Sequence, residues 1–143
     1  MKVVKEETVV TCEYFVAKDG RKFSLKERCL RHEEELEREA AIKRVKALKQ
    51  FEYCAPYGDE NFHWFYVENE ADLKDVILAS LNEDERSYSN HTVDDILEQG
   101  KFPLWVVAIT DDSGYGDVWS ADEILKAHET FITNVKNEIL QRQ

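Results

Sequence analysis

One stretch, Leu104-Trp105-Val106-Val107-Ala108-Ile109-Thr110, constrains the fold of this protein more than any other. It is the most hydrophobic segment, rich in aromatic and β-branched types, and it ends at Asp111-Asp112-Ser113-Gly114, a cluster of turn-forming residues. A short apolar run bounded by such a cluster predicts a strand. The turn directs the backbone back through Tyr115 to Trp119, so the pair reads as a hairpin.

A second hairpin is expected near the N-terminus. Residues 9–17 are β-branched and aromatic, Asp19-Gly20 tolerates the positive φ of a tight turn, and Arg21 to Phe23 forms the return. Ser24 with Glu27 three residues on has the pattern of a capping box, in which hydroxyl and carboxylate satisfy open backbone N–H groups. A helix predicted from there to about Gln50 carries Leu25, Cys29, His32, Leu36 and Ala40 at helical steps. At 1.5 Å per residue it would be about 40 Å long.

Residues 51–61, with Pro56 and Gly58, read as a loop. Phe62 to Val67 reads as a strand, central in its sheet because both faces are aromatic. Asn69 is placed to cap a helix over 70–82 with Leu73, Val76, Ile77 and Leu81 on one face. Polar residues 83–91 are the best candidate for a mobile loop. Thr92 with Asp95 opens a short helix that stops at Gly100. Ser120 with Glu123 opens the last helix, where Ile124, His128, Phe131, Val135 and Ile139 follow the helical step and His128 is expected in the core. The order ββαβααββα predicts an α+β fold, a mostly antiparallel sheet packed against helices. Only the connection from Val67 to Leu104 is long enough for a crossover. At 143 residues, one domain over 1–143 is expected, with a hairpin and helix over 9–50 and an acidic portion over 51–143.

The segment from Asp19 to His32 resembles the second half of a Cys2His2 zinc finger. Phe23 takes the place of the core Phe, Cys29 that of the core apolar residue six positions later, and His32 that of a ligand nine positions after the Phe. Val16 and Asp19 stand where the two ligand cysteines would be, and Leu36 where a second His could stand. The resemblance therefore implies a degenerate, metal-free hairpin and helix over residues 9–32. It is similar to segments of small phage and prophage proteins of unknown function, and implies no activity.

The chemistry-bearing residues read mainly as structural. Cys12, Cys29 and Cys54 are an odd, irregularly spaced set, which points to reduced thiols. An alternative metal site would combine Cys12, Cys29 and His32, with Cys54 as an optional fourth ligand; the simpler reading packs them without metal. His32, His63, His91 and His128 sit in no nucleophile signature, and Gly20, Gly58, Gly100, Gly114 and Gly116 form no phosphate loop. Trp64, Tyr66, Trp105, Tyr115 and Trp119 are a possible small-molecule pocket, with core packing the stronger reading. No catalytic residue, metal or cofactor is expected.

Charge is the most informative bulk property. Of the net −11, residues 1–50 contribute +3 and residues 51–143 contribute −14. Lys22, Lys26, Arg28, Arg31, Arg38, Lys43, Arg44, Lys46 and Lys49 could form a basic face for nucleic acid, but interleaved Glu33, Glu34, Glu35, Glu37 and Glu39 make a salt-bridged solvent face the better reading. The acidic portion would repel phosphate backbones. The expected function is a non-enzymatic protein-binding module, a phage-type inhibitor or adaptor for a protein with a basic surface. Its candidate partner-binding residues are Asp59, Glu60, Glu83, Asp84, Glu85, Asp94, Asp95, Asp111, Asp112 and Asp117. Mimicry of nucleic-acid phosphates is the extreme form. No run of 18 apolar residues and no apolar N-terminal segment occur, so a cytoplasmic protein without membrane contact is expected.

Overall fold

The computed structural model describes residues 1–7, 11–53, 60–82, 93–111 and 116–142. Its strands form two antiparallel sheets. The first is ordered β1 (Lys2–Glu7), β2 (Thr11–Val16), β3 (Lys22–Phe23). The turn expected at Asp19-Gly20 forms, with Gly20 at φ +86°, a conformation natural to a residue lacking Cβ. It is closed by the Ala17 N–H donating to the Arg21 carbonyl at 2.9 Å.

Strand β1 is not evident in the sequence, because Lys2, Lys5, Glu6 and Glu7 give it the composition of a polar tail. Pairing with β2, not intrinsic pattern, makes it a strand. The Tyr14 hydroxyl donates to Glu6 at 2.6 Å, and the terminal ammonium lies 3.2 Å from Glu33 on the following helix.

That helix, α1 (Lys26–Val45), departs from expectation at both ends. Its N-cap is Leu25, extended at φ −117° and lacking any capping bond from its side group, so Ser24 stands one residue too early to close a capping box with Glu27. Its end falls at Val45, five residues short of Gln50. Gln50 instead starts β4 (Gln50–Glu52), and its amide donates to the carbonyls of Val45, Lys46 and Leu48 at 3.1–3.3 Å. The Val45 carbonyl also accepts from the Leu48 N–H at 3.0 Å, so the Gln50 amide gathers the carbonyls of the turn that ends α1. The helix is consequently about 30 Å long.

The second sheet is ordered β4, β5 (Asn61–Val67), β6 (Leu104–Thr110), β7 (Gly116–Ser120). Strand β5 is interior, as its two aromatic faces predict. Helix α2 (Glu70–Ser80) starts as expected at Asn69, whose side chain accepts from the Asp72 N–H at 2.9 Å; the Asp72 carboxylate in turn accepts from the Glu68 N–H at 3.0 Å. Residues 93–99 form α3, which ends at Gly100 with φ +58°. The expected mobile loop at 83–91 and the cap at Thr92 lie outside the described residues.

One face of the second sheet supplies Phe65, Val67, Val106, Ala108 and Val118 to the core, where Leu73, Val76 and Leu81 from the α2 region, Val45 from α1 and Ile96 from α3 meet them. The α+β class is thus observed, with β1 and β4 added to the expected order. Arg44 of α1 holds Asp75 of α2 through two bonds of 2.7 and 2.8 Å, tying the two helices at the surface.

Helix α4 (Ala121–Gln141) begins as expected: the Ser120 hydroxyl accepts from the Glu123 N–H at 3.3 Å. Its apolar stripe, however, does not enter the core. Every residue from 125 to 142 is exposed, including Phe131 at 66%. His128, expected in the core, is exposed with them. The stripe has the correct period, but among the described residues no element of the fold lies over it.

Candidate functional site

The second sheet has a second face, and its register fixes what stands there. Phe51 pairs with Trp64, Trp64 with Val107, Val107 with Trp119, and Tyr66 with Trp105. Paired residues share a side, and these alternate with Phe65, Val67, Val106 and Val118, so they point away from the main core. Trp64, Tyr66 and Trp105 therefore lie outside the main core, on the face where Val107 is fully buried and Ile109 nearly so. Each of the three aromatics remains partly exposed.

They form one connected group. Phe51 stacks on Trp64 with centroids 5.8 Å apart and planes 6° from parallel, and meets Trp105 at 5.3 Å. Tyr66 meets Trp105 at 5.4 Å, and the Lys49 ammonium lies 5.4 Å from the Tyr66 ring. A groove of about 490 Å³ runs between these rings and the start of α4, where Ala121, Asp122 and Leu125 complete its wall. Phe51 is 48% exposed and its neighbour Tyr53 71%. The Trp64 indole N–H is buried and has no hydrogen-bond partner among the described residues.

Three of these groove residues, Trp64, Tyr66 and Trp105, stand out in the sequence, and two do not. Phe51 reads there as part of a loop, because the three-residue β4 carries too little pattern to show itself. Leu125 has no link to the sheet until α4 is placed. Trp119 lies on the same face without lining the groove, and Tyr115 is outside the described residues.

The acidic candidates divide in the same way. Asp59, Glu83, Asp84, Glu85 and Asp112 lie outside the described residues. Glu60 is exposed, and with Asp111 it flanks the Asn61–Thr110 pair; Asp117 is one register step away, so these three gather at one end of the sheet. Asp117 also accepts from the Val118 N–H at 2.8 Å. Asp94 and Asp95 stand on α3, the first exposed and the second half-buried. The basic residues of the N-terminal third are partly committed to acidic partners: Lys22 lies 3.7 Å from Glu6, and Arg44 is bound to Asp75.

At the positions matching finger ligands, Asp19 and His32 meet directly, Oδ2 to Nε2 at 2.7 Å, while the His32 ring packs 5.2 Å from Phe23. Cys29 is fully buried and Cys12 exposed, and burial pushes the Cys29 thiol up. Cys54 lies outside the described residues, among which no group of three or more metal-ligating side chains occurs.

The His32 hydrogen bond, aided by the Arg21 backbone N–H, holds the Asp19 carboxyl below its ordinary value of 3.8. A carboxyl lowered in the folded state adds stability that is present above its unfolded pKa and lost as pH falls through the folded one. Asp19→Asn should therefore be less stable than wild type near neutrality, with the two converging below about pH 4. Urea midpoints across that range measure this; a gap independent of pH would mean that ionised Asp19 contributes nothing.

No family model, curated protein or solved structure matches this protein. No helix among the described residues is long and apolar enough to cross a membrane.

Proposed function

We propose that this protein is a non-enzymatic protein-binding module, an adaptor or inhibitor of the phage type, that seats a basic protein against an acidic, aromatic-centred surface. The observation that carries this reading is the cluster of Phe51, Trp64, Tyr66 and Trp105 on the side of the second sheet facing away from the core. Partly exposed Trp, Tyr and Phe at the centre of a patch are the residues that dominate protein interfaces. Over 51–120 the sequence is strongly acidic, with 3 basic against 16 acidic residues, while the groove wall itself carries one cation, Lys101, and one carboxylate, Asp122. Such a field accelerates encounter with a basic partner and discourages nucleic acid.

The test uses the immobilised protein, bacterial lysate, and two variants. Capture of a basic protein at low salt, weakened at high salt and reduced at least tenfold by Trp105→Ala or Phe51→Ala, is the expected result. Capture insensitive to both variants would remove the aromatic face from the binding surface, and capture insensitive to salt would remove the charge argument. The groove volume, within the range of small-molecule sites, favours a metabolite binder as the second reading. Thermal stabilisation by a metabolite, with no protein captured, would favour it.

A further inference from the structure

Beyond Leu125, which also walls the aromatic groove, the exposed stripe of α4 is a surface that the proposed function does not use. Leu125, Phe131, Ile132, Val135 and Ile139 are 41–66% exposed, and with Ile124 and His128 they fall within an arc of about 120° at 100° per residue. An isolated helix of this length is marginal in water, and the segment is rich in residues of modest helix propensity: Ile124, Ile132, Thr130, Thr133, Val135 and Ile139. Its apolar face therefore calls for a partner surface of matching length.

We infer that this partner is a second copy of the protein, with the two α4 helices packed antiparallel about a twofold axis near Ile132 and Val135. Three observations select that occupant. The first is area: five to six side chains at these exposures offer roughly 500–600 Å² per copy, so a pair buries up to about 1,200 Å², at the lower bound for a stable interface.

The second is charge. Leu125, His128, Ile132, Val135 and Ile139 follow the alternating three- and four-residue spacing of a two-helix seam, and Glu129 and Lys136 are exposed along one flank of it. In an antiparallel pair that layers Ile132 on Val135 of the other copy, the same flanks face each other. Glu129 then meets Lys136 of the other copy, twice by symmetry. A parallel pair offers no such match, since it sets Lys136 against Phe131.

The third is repulsion. Residues 51–120 carry −13, whereas 121–142 carry 4 acidic against 3 basic residues. Helix α4 is thus the part of the acidic portion on which a like-charged copy meets almost no net repulsion. A parallel pair would set the two acidic sheets side by side. The antiparallel pair separates them by about the length of the helix, roughly 30 Å and several Debye lengths at physiological salt.

Sedimentation equilibrium at roughly 100 µM tests the inference, since self-association depends on concentration. Wild type should show twice the 16.8 kDa of one copy, and Ile132→Asp the mass of one copy. Lys136→Glu should weaken dimerisation by about tenfold, less at high salt, and Glu129→Lys combined with Lys136→Glu should restore it to within about threefold. Wild type at the mass of one copy would overturn the self-association. Failure of the double reversal to restore the dimer would overturn the antiparallel pairing. Residues 129, 132 and 136 do not line the aromatic groove, so a monomeric protein that still captured a basic partner would leave the proposed function standing.

Discussion

Phe65→Ala is expected to lower the free energy of unfolding by about 4 kcal/mol, near the middle of the range for deleting a buried aromatic side chain. Phe65 is 3% exposed on an interior strand, flanked in register by Gln50 on β4 and Val106 on β6. The His63 ring lies against it at 4.2 Å, and Val45, Leu73 and Val76 belong to the same buried cluster. Its neighbours come from a sheet and two helices, so none can move into the vacated volume without disturbing its own packing. Domains of this size are stable by about 5–15 kcal/mol, and a loss of this magnitude would displace the urea midpoint far towards zero. Tryptophan fluorescence provides the signal. A loss below about 1 kcal/mol would mean that the region refills the space and that the core is centred elsewhere.

Much of that core is legible in the sequence because its residues obey local rules. Asn69 and Ser120 are caps whose side chains fit one geometry, and both form. The run from Leu104 to Thr110 is apolar up to its last residue and becomes a strand over that same span. What escapes reading depends on partners remote in sequence. Strand β1 is polar in composition and exists because β2 lies beside it. Strand β4 exists because Gln50, Phe51 and Glu52 pair with β5, and Gln50 also gathers the carbonyls of the turn that ends α1. Helical propensity favours continuing α1 through that segment, and tertiary pairing overrides it. The aromatic groove is half legible: Trp64, Tyr66 and Trp105 carry an evident signal, but strand alternation alone does not say which face is covered. The acidic candidates are legible only as composition, since charge gives no register; the structure gathers Glu60, Asp111 and Asp117 and places Asp94 and Asp95 on another element.

The same ambiguity governs the last expected result, a comparison of two leucines. Leu73→Ala should cost about 3 kcal/mol, whereas Leu140→Ala should cost less than about 0.5. Both lie on helices that begin at a side-chain cap, and both helices carry apolar residues at steps of three and four. Sequence period alone would assign the two helices the same fate. Leu73 is fully buried between α2 and the sheet, so its truncation removes apolar contact and leaves a cavity. Leu140 is 69% exposed, and one residue beyond Ile139 it is turned about 100° away from that position on the α4 stripe. It therefore stays in water whether α4 is free or paired with a second copy. Urea denaturation of both variants, at concentrations above and below dimerisation, separates burial within one copy from burial between copies. Ile132→Ala completes the comparison: its cost should be small in the monomer and should grow with protein concentration, because its apolar contacts belong to the pair of helices. A small cost for Ile132→Ala at every concentration would mean that α4 stays unpaired, and a large one at every concentration would return α4 to the core of a single copy.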